Sequence, residues 1–227
     1  MNAPSALWAP PLRYQFIIFD FDGTLVETEA LEAEILSGGL AQLGLSISPA
    51  QVTFALLGVT APDAHARLEK LAGHPLPTKL LRDVALRLRA ATEDQLATTF
   101  GAPAMLSALR QPFAVASNTD RPELARRIQV AGLSAKIGER FLSAKDVGGK
   151  KPAPDVFLAT ADRFAVAPED CIVVEDSLVG LEAARRAGMT CCAYLGGADQ
   201  SPESANALRR FDPDYVVPSF SRRQSGK

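Results

Sequence analysis

The chain has 227 residues, 47% of them hydrophobic, and carries 24 Lys and Arg against 26 Asp and Glu, a net charge of −2. That length holds a full core, or one core plus a small insertion. The near balance of charge excludes nucleic acid and anionic membrane as principal partners, no apolar stretch approaches membrane-spanning length, and residues 1–13 lack the apolar segment of a signal peptide.

In chain order, Met1 to Arg13 is rich in Pro and Ala and reads as a poorly ordered arm, with Trp8, the only Trp, packing down on the body. Phe16-Ile17-Ile18-Phe19 reads as a strand buried on both faces of a parallel sheet. It stops on Asp20 and Asp22, two carboxylates one residue apart, at the carboxyl edge where open α/β sheets bind ligands. Acids so close repel unless a cation or proton intervenes, which suggests a metal-assisted site. Gly23 allows the sharp turn that follows, and Thr24 adds a hydroxyl. An Asp-x-Asp turn without chemistry is the alternative, and the clusters downstream decide between them.

Glu29 to Ala97 shows helical periodicity broken at Gly44, Gly58 and Gly73, with helix starts near Pro49, Pro62 and Thr78. Leu80 to Leu96 reads as one amphipathic helix, and no strand signal interrupts the region. Phe113-Ala114-Val115-Ala116 is a second strand. It delivers Ser117, Asn118 and Thr119, of which Ser117 and Asn118 are able to hold phosphoryl oxygens or to cap the helix that Pro122 opens and Gly132 closes. Lys136 to Leu142 is a candidate for a further strand. Lys151 lies before Pro152 and a helix start near Pro154, where a cation and backbone N–H groups together favour an anion, whereas Lys150 reads as solvated.

Cys171 to Val174 is another strand and ends on Glu175 and Asp176, adjacent oxygen donors suited to a hard cation such as Mg²⁺. Ser177 starts a helix that runs to Ala187 and stops at Gly188. Strands follow near Thr190 and Tyr215, and Ser221 to Lys227 reads as a frayed tail. Cys171, Cys191 and Cys192 lack metal-ligand spacing and read as reduced core residues of a cytoplasmic protein, the neighbouring pair pointing to opposite faces of a strand.

Four segments together, Asp20-Phe21-Asp22-Gly23-Thr24-Leu25, Ser117-Asn118-Thr119, Lys151-Pro152-Ala153-Pro154-Asp155 and Glu175-Asp176-Ser177-Leu178-Val179-Gly180, resemble the haloacid dehalogenase superfamily in its Mg²⁺-dependent phosphohydrolase branch. The resemblance implies an α/β fold: a flavodoxin- or Rossmann-like parallel sheet core with helices on both faces, plus an inserted α-helical cap. It divides the chain into a catalytic core of residues 1–28 and 99–227 and a cap of residues 29–98. It implies Asp20 as nucleophile, Asp22 as acid and base, and Ser117, Asn118 and Lys151 on the phosphoryl oxygens. Asp20, Glu175, Asp176 and the backbone carbonyl of Asp22 are the implied Mg²⁺ ligands.

Glu27 in the first linker and Gly58, Val59 and Thr60 in the cap are the expected substrate contacts, with Glu29 and Arg67 as further candidates and His65 read as a surface helix residue. Departures from relatives narrow the chemistry. The second acid and the Glu175, Asp176 pair speak against dehalogenation. Ala61 stands where phosphonoacetaldehyde hydrolase carries its Schiff-base lysine, and Glu32 stands where β-phosphoglucomutase carries a restraining His. The expected activity is Mg²⁺-dependent hydrolysis of a small phosphorylated metabolite, a sugar phosphate or sugar-acid phosphate, by a monomer with no nucleic-acid or membrane partner. A phosphosugar mutase and a non-catalytic binding or regulatory protein are the alternatives.

Overall fold

Six short runs, mostly apolar on both faces, assemble into one sheet. The computed structural model describes residues 8–56, 61–94, 96–198 and 200–221. Its strands are β1 (Phe16–Phe19), β2 (Phe113–Ser117), β3 (Phe141–Ser143), β4 (Cys171–Glu175), β5 (Thr190–Tyr194) and β6 (Tyr215–Val217), with every neighbouring pair parallel. The order β3-β2-β1-β4-β5-β6 is that of a doubly wound sheet, and its direction of winding reverses between β1 and β4. Alternation along the strands divides the core. Ile17, Phe19, Val115, Ile172 and Val174 face one side, while Phe16, Ile18, Ala114, Ala116 and Val173 face the other. Each large side chain so buried contributes about 1.5–3 kcal/mol. Cys191 and Cys192 fall on opposite faces as expected, and all three cysteines are buried and free.

Helices α1 (Thr28–Ala41), α2 (Pro49–Leu56), α3 (Ala61–Ala72) and α4 (Leu80–Ala91) follow β1 directly. They share a separate small core in which Ala33, Leu36 and Leu40 of α1 meet Val52, Leu68, Leu80 and Val84. Between the later strands lie α5 (Ala102–Ala108), α6 (Arg121–Val130), α7 (Ser134–Ile137), α8 (Ala144–Val147), α9 (Asp155–Arg163), α10 (Leu178–Arg186) and α11 (Pro202–Arg210). Among the described residues no helix is long and apolar enough to cross a membrane.

Two elements depart from the sequence pattern. The helix predicted from Leu80 to Leu96 stops at Ala91, where the Thr92 hydroxyl bonds back to the Leu88 carbonyl (2.9 Å) and Arg126 takes the Thr92 carbonyl (2.7 Å). The strand proposed from Lys136 begins only at Phe141, because Ser134–Ile137 closes a helical turn that Gly138 ends at φ 56°. Trp8 packs down as expected: its N–H reaches the Phe220 carbonyl (3.0 Å) and its ring lies against Phe19 and Phe220.

Candidate active site

The loops after β1, β2 and β4 meet the segment before α9 at the carboxyl edge of the sheet, beside the reversal in winding. Asp20 leaves β1 with its N–H still bonded to the Val174 carbonyl (2.9 Å), so the ladder itself sets where its carboxylate stands. Lys151 Nζ donates to Asp20 Oδ1 and to Glu175 Oε2 (2.8 Å), all three residues being buried. The Lys151 N–H is in turn held by Asn118 Oδ1 (2.9 Å). Glu175 Oε1 accepts from the Ser177 N–H (3.1 Å) and hydroxyl (2.8 Å), while the same Ser177 oxygen caps α10 through the Gly180 N–H. Asp176 Oδ1 accepts from the Thr24 hydroxyl (2.7 Å).

Asp20, Glu175 and Asp176 each bring one oxygen within 4.8 Å of the others. Among the described residues, the Lys151 ammonium is the one bonded to this group. Burial, followed by repulsion from Glu175, pushes the Asp20 carboxyl up to about 8 despite Lys151 beside it, and burial with the Glu175 and Asp20 charges pushes Asp176 well up. The Lys151 ammonium is raised as well: Asp20 and Glu175 outweigh its burial. Three buried carboxylates with one buried cation leave negative charge in excess, and an all-oxygen donor set fits a hard divalent metal.

Gly180 is part of that fit. A Cβ there would lie 1.9 Å from Glu175 Cδ, and Glu175 has no slack because Lys151 and Ser177 hold both of its oxygens. Gly180→Ala is expected to raise about tenfold the Mg²⁺ concentration for half-maximal thermal stabilisation, and to cost about 1–3 kcal/mol of stability. Melting curves across a Mg²⁺ titration check it; an unchanged midpoint would mean that Glu175 does not bind the metal.

A second polar group adjoins the first. Asp22 Oδ1 accepts from the Thr28 hydroxyl (2.9 Å) and from Arg127 Nη1 (2.5 Å), and Oδ2 accepts from the hydroxyls of Ser117 (3.2 Å) and Thr119 (2.8 Å). Glu32 of α1 sits nearby, its carboxyl pushed up by burial and by the Asp22 charge. Both groups open into a cleft of about 890 Å³ between the sheet edge and α1 and α2. On the helical side Leu36, Val52 and Leu56 form an apolar wall with Thr53 among them.

Of the residues anticipated from sequence, Asp20, Asp22, Ser117, Asn118, Lys151, Glu175 and Asp176 all line this cleft. The Asp22 carboxylate belongs to the second group and not to the three converging oxygens. Glu27, expected to meet substrate, accepts the Ala198 N–H on Oε2 (2.8 Å), which ties the segment before α1 to the loop after β5. Gly58, Val59 and Thr60 lie outside the described residues. His65 pairs with Glu69 on α3 (3.4 Å), as a surface helix residue would. Glu29 does border the cleft, and so does Lys150, although exposed.

Sequence reasoning missed Arg127 and Gln200. Arg127 comes from the second turn of α6, where its spacing resembles any helix-surface arginine. Gln200 follows β5 in a loop without a motif, yet it lines the cleft with Oε1 buried and lacking a hydrogen-bond partner among the described residues.

An aspartate held between a lysine and two further acids, at the reversal of a doubly wound sheet, marks the ligand-binding edge of an α/β protein. The model of the haloacid dehalogenase-like hydrolases matches residues 14–188, and the chain belongs to that family. It is 31% identical over 192 residues to hexitol phosphatase A of Escherichia coli (83% of this chain, 86% of that protein). With fructose-1-phosphate phosphatase YqaB of the same organism it shares 32% over 179 residues (78% and 94%). A crystal structure of a family hydrolase from Deinococcus radiodurans R1, with bound phosphate and sodium, superposes at a TM-score of 0.79 with 32% identity over 92% of this chain and 93% of that one. Two plant relatives are much longer, and the chain spans 8% of one and 46% of the other. Within the family the protein is an enzyme of the phosphatase kind.

Proposed function

We propose that the protein is a cytoplasmic, Mg²⁺-dependent phosphatase that hydrolyses a small phosphorylated metabolite, a sugar phosphate or sugar-acid phosphate, through an aspartyl-phosphate on Asp20. The observation that carries this reading is the buried group of Asp20, Lys151, Glu175 and Asp176 beside the Ser117 hydroxyl. Asp20, Glu175, Asp176 and the backbone carbonyl of Asp22 would hold the Mg²⁺, which supplies positive charge against the phosphoryl oxygens.

An Asp20 oxygen attacks phosphorus as the bond to the leaving oxygen breaks, and Asp22 gives that oxygen a proton. Water then displaces the Asp20 oxygen, returns a proton to Asp22 and frees inorganic phosphate. The Ser117 hydroxyl, the Asn118 amide NH₂ and the Lys151 ammonium steady the transferring group, since phosphoryl transfer asks the protein mainly for position and charge. Residues 29–98 act as the cap, with 1–28 and 99–227 as the core. The cleft beyond the phosphate site sets an apolar wall against Thr53 and Gln200, which suits a short polyhydroxylated leaving group. Relatives named for hexitol and fructose 1-phosphate agree with that chemistry.

The test is inorganic phosphate release from a panel of sugar phosphates, sugar-acid phosphates, phosphoglycolate and nucleotides, with Mg²⁺ and with excess chelator. Release that needs Mg²⁺ and is strongest for one sugar class is the expected result. A rearranged sugar phosphate without free phosphate would move the protein to the mutases, and no release from folded, Mg²⁺-replete protein would remove the reading.

A further inference from the structure

We propose that Arg127 is the positioning residue of Asp22: by claiming Oδ1 it leaves Oδ2 as the oxygen that exchanges the proton. The inference rests on the acid and base role given to Asp22 above. Arg127 and Asp22 side chains are 12% and 14% exposed, so this is not a solvated surface pair of small consequence. The guanidinium is itself fixed from behind, because Nε donates to Glu123 Oε1 (3.0 Å) while Nη1 points at Asp22 Oδ1. A planar fork fixes the directions in which it serves two carboxylates, whereas a lysine ammonium is a point charge with rotatable donors and imposes no such directions. Thr28 shares Oδ1 with Arg127, whereas among the described residues Oδ2 meets the hydroxyls of Ser117 and Thr119, in the loop that faces the transferring phosphoryl group.

A protonated Asp22 can keep accepting from Arg127 through Oδ1 while Oδ2–H turns to the leaving oxygen. The proton passes to that oxygen as the P–O bond breaks, and the carboxylate so formed later takes one from water. The hold extends further. Glu123 also binds Arg126 (2.5 and 2.9 Å), which grips the Thr92 carbonyl (2.7 Å) and hydroxyl (2.9 Å) where α4 ends. Thr92, Arg126, Glu123, Arg127 and Asp22 thus form one unbroken polar chain from the last cap helix to the proton-transferring carboxylate.

The test compares kcat/KM for the best sugar phosphate of the panel with kcat/KM for p-nitrophenyl phosphate, whose leaving phenol needs little protonation. Asp22→Asn should lose about 10²–10⁴-fold on the sugar phosphate and far less on the aryl ester. Arg127→Gln should follow the same pattern, with a loss of about 10–100-fold against less than about 3-fold, a contrast that general misfolding would not give. Arg127→Lys, which keeps the charge and loses the fork, covers the case of a Gln variant that fails to fold, and should show the same selective loss. Equal losses on both substrates, or none, would overturn the role of Arg127. Absence of contrast in Asp22→Asn would instead strike the general-acid reading, and this inference with it.

Discussion

Asp20→Asn is expected to end phosphate release, by at least about 10⁴-fold, while raising the melting temperature of the metal-free protein at pH 8. The first effect follows from the proposed mechanism, in which an Asp20 oxygen attacks phosphorus. The second follows from what the fold does to that carboxyl, whose ordinary value of 3.8 is pushed up to about 8. Between about pH 4 and 8 the folded chain holds a proton that the unfolded chain has released, so stability without metal falls as pH rises through that window. Asp176, raised for the same reasons, contributes in the same sense. An amide does not ionise and takes away the Asp20 share of the slope. Phosphate-release rates together with melting curves in chelator at pH 6 and pH 8 check both halves. A residual rate within tenfold of the parent would remove Asp20 as nucleophile; a lower melting temperature at pH 8 would mean that its charge stabilises the fold.

Lys151→Met should produce the largest loss of stability of any single change at this site. It leaves Asp20, Glu175 and Asp176 buried together without their ammonium, and breaking such a group costs about 3–5 kcal/mol. The loss should be greatest at pH 8 in chelator and shrink at pH 5, where raised carboxyls take up protons and no longer need a counter-charge. Mg²⁺ should restore part of it by mass action. Activity with saturating Mg²⁺ should still fall about 10²–10³-fold, because a donor to the phosphoryl oxygens is gone. Urea unfolding at the two pH values, with kcat measured alongside, tests this. Parent-like stability at pH 8 would show that Lys151 does not balance the acids.

The convergence of Asp20, Glu175 and Asp176 was legible in the sequence because each stands at the end of a buried strand, and a run such as Ile172-Val173-Val174 has few other uses. Once the strands are placed, a parallel sheet leaves their carboxyl ends side by side, and the polar residues just past them must meet. Lys151 was readable for a different reason: the prolines around it fix a short loop before α9. The bond from Ala198 N–H to Glu27 could not be read from the sequence, because a carboxylate beside the acid motif carries no mark of such a partner. Arg127 was hidden in plain helical spacing, since only the packing of α6 against the β1 loop turns one of two adjacent arginines inward. The early end of α4 has the same origin, an arginine from a distant helix drawing off the Thr92 carbonyl.

The two segments that join the four-helix layer to the sheet run alongside each other. Val26 and Thr98 form an antiparallel bridge, Glu27 N–H reaches the Ala97 carbonyl (2.9 Å), and Thr99 N–H reaches that of Leu25 (3.0 Å). The two crossings are therefore fastened to each other as well as to the sheet, so the helices that carry Leu36, Val52 and Leu56 leave and rejoin the core at one place.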